Sequence, residues 1–237
     1  MKLYDECFDG VGKILAAYPA KTLDLKGASD WNSSGKNQII FQSDTAYELG
    51  GGTLPAVSSV AFTDSRDSVP RDEVLLIGSD LADISANTPF ARIALIRVNE
   101  DKMGTGEKLY QTIRKIEYAR YHINPEGYMM RISAFTHREA ARVSKTALKK
   151  GLSFANIGAF FIDEYKKQPQ VEAVKLLFVT APDFPYSELE AVMKKSEDIT
   201  TALDHIMKDI KMDCATCSLK TVCDEVENLF EKDFKKD

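Results

Sequence analysis

Three of the four cysteines of this chain lie close together near its C-terminal end. Cys214, Cys217 and Cys223 form a Cys-x2-Cys-x5-Cys array. Two thiols separated by two residues can turn onto one centre, and a third thiol after a short loop can complete three corners of a tetrahedral metal site or of an iron-sulfur cubane. The spacing therefore favours metal binding. The alternative is three reduced thiols in a helix-loop-helix, two of them packed as small hydrophobic residues.

The array leaves the fourth metal ligand open. Cys7 and His205 are candidates, and Asp213 or Asp224 could supply an oxygen. A group from a partner protein or a solvent molecule would also serve. Cys7 lies on the apolar stripe of a predicted N-terminal helix, which favours a buried core role for it. His205 lies near the end of the predicted helix that leads to Cys214 and could reach the site from there, although a solvated histidine is the simpler interpretation.

Composition excludes several classes of protein. With 237 residues, 44% of them hydrophobic, the chain can bury a substantial core. The net charge of -5 argues against a general nucleic-acid binder, which needs a concentrated basic surface. No apolar run approaches the roughly 18 to 20 residues of a membrane span, and the N-terminus lacks the features of a signal peptide. We expect a cytoplasmic protein without a membrane or nucleic-acid partner, in which thiols stay reduced.

The elements that position the array follow from hydrophobic periodicity and turn signals. Helices are predicted over residues 3–18, 107–121, 136–150, 154–167 and 187–210, with a last short helix after Cys223. Strands of one sheet are predicted over residues 37–41, 56–62, 73–78 and 91–98, with another strand over 171–180. The long helix over 187–210 is amphipathic and delivers the cysteine loop.

This order of elements predicts an α+β fold rather than a doubly wound sheet. We expect a mixed sheet with helices packed on it and a C-terminal helical arm that carries the cysteine loop. Residues 1–237 form one domain in this interpretation, and residues 187–237 form its C-terminal helical, cysteine-containing segment.

Several stretches, in a shared order over about residues 30–225, resemble the acetyl-CoA synthase family, the β subunit of the carbon monoxide dehydrogenase/acetyl-CoA synthase complex. The similarity is to the middle domain of that enzyme. It runs through Tyr47-Glu48-Leu49-Gly50-Gly51, Pro55-Ala56, residues 73–81, Ile123-Asn124, Arg142-Val143-Ser144-Lys145, residues 150–158 and residues 178–180. In the strand over 73–81, Gly78-Ser79-Asp80 stands where the family has Gly-Pro-Asp.

The resemblance implies a metal centre at the cysteine array. In the family, the segment after the middle domain begins the A-cluster, a 4Fe-4S cubane bridged to a dinuclear nickel centre. Cys214 and Cys217 match the first Cys-x2-Cys pair of that motif, and Cys223 resembles the third cysteine at a shorter interval. A fourth cubane cysteine and the Cys-Gly-Cys pair that holds the outer nickel have no counterpart here. The resemblance therefore implies a truncated or accessory member rather than a complete synthase.

Coenzyme A binding is a second implication of the resemblance. A family tryptophan near the position of Met129-Met130 is associated with coenzyme A, and this chain has no indole there. From the residues alone, the basic side chains Arg138, Arg142 and Lys145 could meet the phosphates of a nucleotide-containing cofactor or an acidic partner. An ordinary charged helix face explains these three residues equally well.

Two functional hypotheses remain open from the sequence. The first is an acetyl-CoA synthase-like accessory protein that holds an iron-sulfur cluster of the 4Fe-4S type. Its expected partners are a corrinoid iron-sulfur protein, carbon monoxide dehydrogenase or a methyltransferase-type protein of one-carbon metabolism. The second hypothesis is a structural zinc site in a protein-interaction module with no catalytic role. Cysteines that only pack or respond to oxidants would leave a scaffold without metal.

Overall fold

A computed structural model describes residues 2–35, 38–132, 138–208 and 216–234 of the chain. The helices in these ranges are α1 Asp5–Ala17, α2 Glu100–Met103, α3 Gly106–Ala119, α4 Lys145–Lys149, α5 Phe154–Lys166, α6 Tyr186–Met207 and α7 Lys220–Phe234. The strands are β1 Lys21–Thr22, β2 Thr45–Leu49, β3 Ala56–Thr63, β4 Glu73–Ile77, β5 Phe90–Val98, β6 Tyr128–Ile132, β7 Glu139–Ser144 and β8 Val171–Val179.

A mixed five-stranded sheet forms the centre of the molecule, with strand order β1-β4-β8-β5-β3. Strand β8 runs parallel to β4 and antiparallel to β5, while β3 runs parallel to β5. Every residue of β5 is buried, as expected for a strand with neighbours on both sides and helices packed over the sheet. The α+β fold predicted from the sequence is confirmed, as are the strands at β3, β4, β5 and β8.

Helices α1 and α6 pack beside β3, and α5 packs on β8 and β4. The hydroxyl of Ser196 in α6 donates to the carbonyl of Val60 in β3. Helix α6 is therefore part of the core, and α7 packs on α6. Within the described ranges, no helix is both long and apolar enough to cross a membrane.

A second sheet, which the sequence analysis does not predict, has the antiparallel order β2-β7-β6. The helix predicted over 136–150 is wrong, because residues 139–144 form β7 and only residues 145–149 are helical. Side chains that point alternately to the two faces of the sheet explain strand β7. Ala141 and Val143 face the core on one side, while Arg142 faces the other. Ser144 then caps α4, where its hydroxyl accepts from the Ala147 amide at 3.1 Å.

Two further predictions are corrected. Residues 38–41 form no strand, because Ile39 and Phe41 are exposed and the Gln38 side chain bonds to the carbonyls of Pro125 and Tyr128. The last helix begins at Lys220 rather than after Cys223. Its buried residues Val222 and Val226 are four apart, so its apolar stripe already includes the turn that carries Cys223.

Candidate functional site

The start of α7 places two of the three array cysteines. Cys217 lies three residues before the first residue of this helix and Cys223 lies three residues after it. The Cys217 carbonyl accepts from the Lys220 amide at 3.2 Å, and the Cys223 amide donates to the Leu219 carbonyl at 2.9 Å. Both residues are half-buried. The thiolate is the form of cysteine that binds metals.

Cys7 has a different environment. It is completely buried on α1, and its thiol donates to the Val192 carbonyl of α6 at 3.6 Å. Burial raises the pKa of the Cys7 thiol to about 11, with a smaller opposing contribution from the Ser196 backbone. A thiol of this kind stays protonated at neutral pH and packs as a small hydrophobic residue.

Of the other predicted ligands, the structure describes His205 and Asp224. His205 is half-buried in the last turn of α6. Asp224 forms an ion pair with Lys220 at 2.9 Å, one helical turn away. Cys214 and Asp213 lie outside the described residues. Among the residues that are described, no three His, Cys, Asp or Glu side chains lie together in a way that could hold a metal ion.

The donor chemistry of the placed residues fits a thiolate-bound metal centre. Thiolates are the ligands of iron-sulfur clusters and of structural zinc, and two of the three predicted thiols are accessible from one helix end. Cys217 and Cys223 suit an iron-sulfur cluster and structural zinc equally well.

The three basic residues predicted to bind a cofactor contact different segments of the chain. Arg138 forms an ion pair with Glu190 of α6 at 2.8 Å. Arg142 donates from Nε and Nη2 to Glu48, at 3.0 and 2.9 Å, and from Nη1 to the Ile40 carbonyl. Lys145 donates to the Ser43 carbonyl at 3.2 Å. These contacts connect β7 and the residues beside it to α6, to β2 and to the segment before β2.

A cleft of about 550 Å³ lies beside β6. Its lining consists of Gln38, Ile39, Tyr121, Ile123, Asn124, Met129, Met130, Arg131, Ile132 and Glu139. Met129 and Met130, where the family resemblance places a tryptophan, form part of its wall. The sequence analysis misses the cleft as a whole, because its residues come from four separate segments and because β6 is not predicted. The largely apolar run Tyr128–Ile132 is the sequence feature from which β6 could have been predicted.

Behind the cleft lies a buried group of charged side chains. Arg92 is 3% exposed and forms an ion pair with Glu139, and it also donates to the Ser58 hydroxyl at 2.5 Å. Arg120 lies 3.2 Å from the other oxygen of Glu139, which accepts from the Tyr121 hydroxyl at 3.0 Å. Burial acts to raise the pKa of Glu139, but Arg92 and Arg120 outweigh it and hold that pKa below its ordinary value.

Arg92 also contacts Met130, a residue of the cleft wall. Its guanidinium carbon lies 4.5 Å from the centroid of the Phe161 ring, and its Nη1 contacts the sulfur of Met130 at 2.6 Å. Glu139 is therefore neutralised from two sides, and the side chain of Met130 separates Arg92 from the cleft.

Comparison with known proteins identifies the scaffold. The model of the family described as the CO dehydrogenase/acetyl-CoA synthase complex beta subunit matches residues 33–184. A search of curated proteins found no match. The matched region contains both sheets except the short β1, and it contains the whole cleft, but it ends before α6 and the cysteine array. Since the match covers well over half of the 237 residues, the chain belongs to the CO dehydrogenase/acetyl-CoA synthase complex beta subunit family.

Proposed function

We propose that this chain is an acetyl-CoA synthase-related accessory protein that binds an iron-sulfur cluster of the 4Fe-4S type through Cys214, Cys217 and Cys223. Family membership supports the acetyl-CoA synthase-related part of this proposal. The cluster rests on the cysteine spacing and on the environment of the two described thiols.

Cys217 and Cys223 support the proposal most directly, because they differ from Cys7. Core packing explains Cys7, which is fully buried with a raised pKa. Cys217 and Cys223 are only half-buried, and they lie on either side of the first residue of a fifteen-residue helix. Their partial exposure makes them better candidates for metal ligands than Cys7.

The fourth position of the cluster stays open in this proposal. Cys7 is the weaker candidate, because it would have to leave its place between α1 and α6. His205, in the last turn of α6, is the better one. When bound, a cluster with three protein thiolates supplies electron transfer and one iron open to an exogenous ligand. The four cysteines of the chain include no Cys-Gly-Cys pair, so we assign it cluster binding rather than the nickel-dependent synthase reaction.

The partner proteins follow from the family. Its name describes a complex with CO dehydrogenase, so we propose association with that enzyme. A corrinoid iron-sulfur protein or a methyltransferase-type protein of one-carbon metabolism is the further partner class in this proposal.

Anaerobic purification, followed by an absorption spectrum and analysis of iron, sulfide and zinc, tests the cluster. We expect a brown protein with iron and sulfide in near-equal amounts. Cys217→Ser should remove the colour and most of the iron. Cys7→Ala is the matched control, since it removes a cysteine without touching the array and should keep the cluster.

The alternative function predicts another outcome of the same experiment. Zinc that Cys217→Ser removes from a colourless protein would assign a structural site and an interaction module. Loss of iron in Cys7→Ala, with folding intact by circular dichroism, would instead make Cys7 a ligand and contradict its assignment to the core.

A further inference from the structure

Strand β6 forms an edge of the three-stranded sheet in the described part of the chain. The Gly127 carbonyl, just before β6, accepts from the Ser144 amide at 2.9 Å. In an antiparallel pair, the residues that bond to the partner strand alternate with residues whose backbone groups point away from it. Met129 and Arg131 therefore bond to β7, whereas Tyr128, Met130 and Ile132 turn their backbone groups to the open edge.

Gln38 shows that this edge accepts hydrogen bonds from outside the sheet. Its side-chain amide donates to the Tyr128 carbonyl at 2.9 Å, where the next strand would donate. Its amide oxygen accepts from the Gly127 amide at 2.6 Å. Gln38 thus satisfies one end of the edge, and the backbone groups of Met130 and Ile132 continue it along the wall of the cleft.

Exposed apolar side chains gather at the same place. Ile39, Tyr121 and Ile132 line the cleft and are 71, 40 and 60% exposed. The Tyr118 ring lies 5.5 Å from the Tyr121 ring, and Phe41 follows Ile39 by two residues. These five are all the large exposed hydrophobic residues among those whose side chains the structure describes. A concentration of this kind marks an interaction site rather than ordinary surface.

The charged residues of the cleft lining indicate what kind of group the cleft can bind. The charged residues that line the cleft, Arg131 and Glu139, are ion-paired with Glu48 and with Arg92 and Arg120. A phosphate or a carboxylate would find no free cation among these described lining residues. The cleft therefore fits an uncharged apolar group that also needs backbone hydrogen bonds.

We infer that the cleft binds an extended peptide segment of a partner protein, which adds a strand to the β6 edge and places alternate apolar side chains against Ile39, Tyr121 and Ile132. Strand addition derives its affinity from main-chain hydrogen bonds and its specificity from alternate side chains, and both features are present here. Pairing of the β6 edges of two copies across a two-fold axis is the competing arrangement, and the variants below distinguish it from peptide binding. The inference goes beyond the proposed cluster and does not depend on it.

A displayed library of random short peptides is the probe. We expect the selected peptides to carry apolar residues at alternating positions, and we would measure their affinity by fluorescence anisotropy. Methylation of the backbone amides that face β6 should weaken binding about tenfold for each lost hydrogen bond. Methylation of the amides of opposite parity, which face away, is the matched control and should leave the affinity unchanged.

Variants of the protein complete the test. Ile132→Asp should abolish binding with little change in the thermal unfolding temperature, because the side chain is largely exposed. Ile132→Val should retain binding. The inference is overturned if no peptide is enriched, or if the binding of enriched peptides ignores Ile132→Asp or ignores the parity of methylation. Self-association of the chain that Ile132→Asp removes would assign the cleft to a second copy and overturn it as well.

Discussion

At the scale of single residues, some functional groups can be recognised from the sequence, whereas others can be recognised only in the folded structure. The cysteine array is visible because its members are neighbours in the chain. The ion pair of Arg92 and Glu139 is not visible, because 47 residues separate its partners and only the folded sheets bring them together. Residues 136–150 also appear helical by their periodicity, so Glu139 is predicted to lie on a helix surface and not in a buried strand.

Glu139 should make the free energy of unfolding depend measurably on pH in the acid range. Its pKa is lowered in the folded state, so its ion pairs stabilise the protein above the ordinary glutamate pKa of about 4.3 and are lost as the pH falls through the lowered value. Glu139→Gln should reduce the free energy of unfolding at neutral pH by about 3 kcal/mol, because it leaves Arg92 buried without its charge partner.

Urea denaturation of Glu139→Gln and the native chain across the acid range checks this. The difference between the two proteins should shrink as the pH falls below about 4.3. Burial raises the pKa of Glu117, but that residue is present in both proteins and largely cancels in the comparison. A difference that stays constant down to the acid transition would show that the charge of Glu139 contributes nothing.

At the scale of elements, the sequence predicts those with a strong period of their own. Helices α1, α3, α5 and α6 each bury a regular apolar stripe, and β5 and β8 are apolar runs between turn signals. Strands β2, β6 and β7 are five or six residues long and mix charged with apolar residues. Their pairing with one another decides their structure, and this information is not local.

The α1–α6 contact positions the helix that leads to the cysteine array, and it requires a small residue at Gly10. A Cβ atom there would lie 2.5 Å from Cγ1 of Val192. Gly12, on the same helix, has open space around it. Gly12→Ala should raise the free energy of unfolding by up to about 1 kcal/mol through helix propensity. Gly10→Ala should lower it, because overpacking costs about 1 to 3 kcal/mol.

Thermal or chemical unfolding of the two variants, side by side, measures the contact. Because both changes are the same substitution in one helix, propensity largely cancels and the difference reports the packing against Val192. Equal stabilities would contradict the close approach of α1 and α6.

The start of α5 gives another element-scale prediction. The Ser153 hydroxyl and the Asn156 side chain form a capping box, in which Asn156 Oδ1 accepts from the Ser153 amide at 3.0 Å. Ser153→Ala should cost about 1 kcal/mol of stability, and Ser153→Thr much less, since threonine keeps the hydroxyl. Chemical unfolding checks both, and equal losses in the two variants would show that the hydroxyl does not cap the helix.

At the scale of the whole molecule, the family match covers the central sheet except β1, but it does not extend to the cysteine array. The α+β class was predictable because a run of apolar strands precedes most of the helices, with one more strand after them. The cleft was not predictable, because β6, Gln38, Ile39 and the residues that follow α3 meet there only after both sheets have formed. The family match ends at residue 184, so the cluster depends on the cysteines themselves.

Iron and sulfide per chain, counted after anaerobic reconstitution, test the cluster most directly. The count should be made on the native chain, on a variant with Cys214, Cys217 and Cys223 all changed to Ser, and on Cys7→Ala. We predict about four iron and about four sulfide ions in the native chain and in Cys7→Ala, and neither in the triple variant. Iron and sulfide bound equally well by the triple variant, or absent from the native chain, would contradict the account.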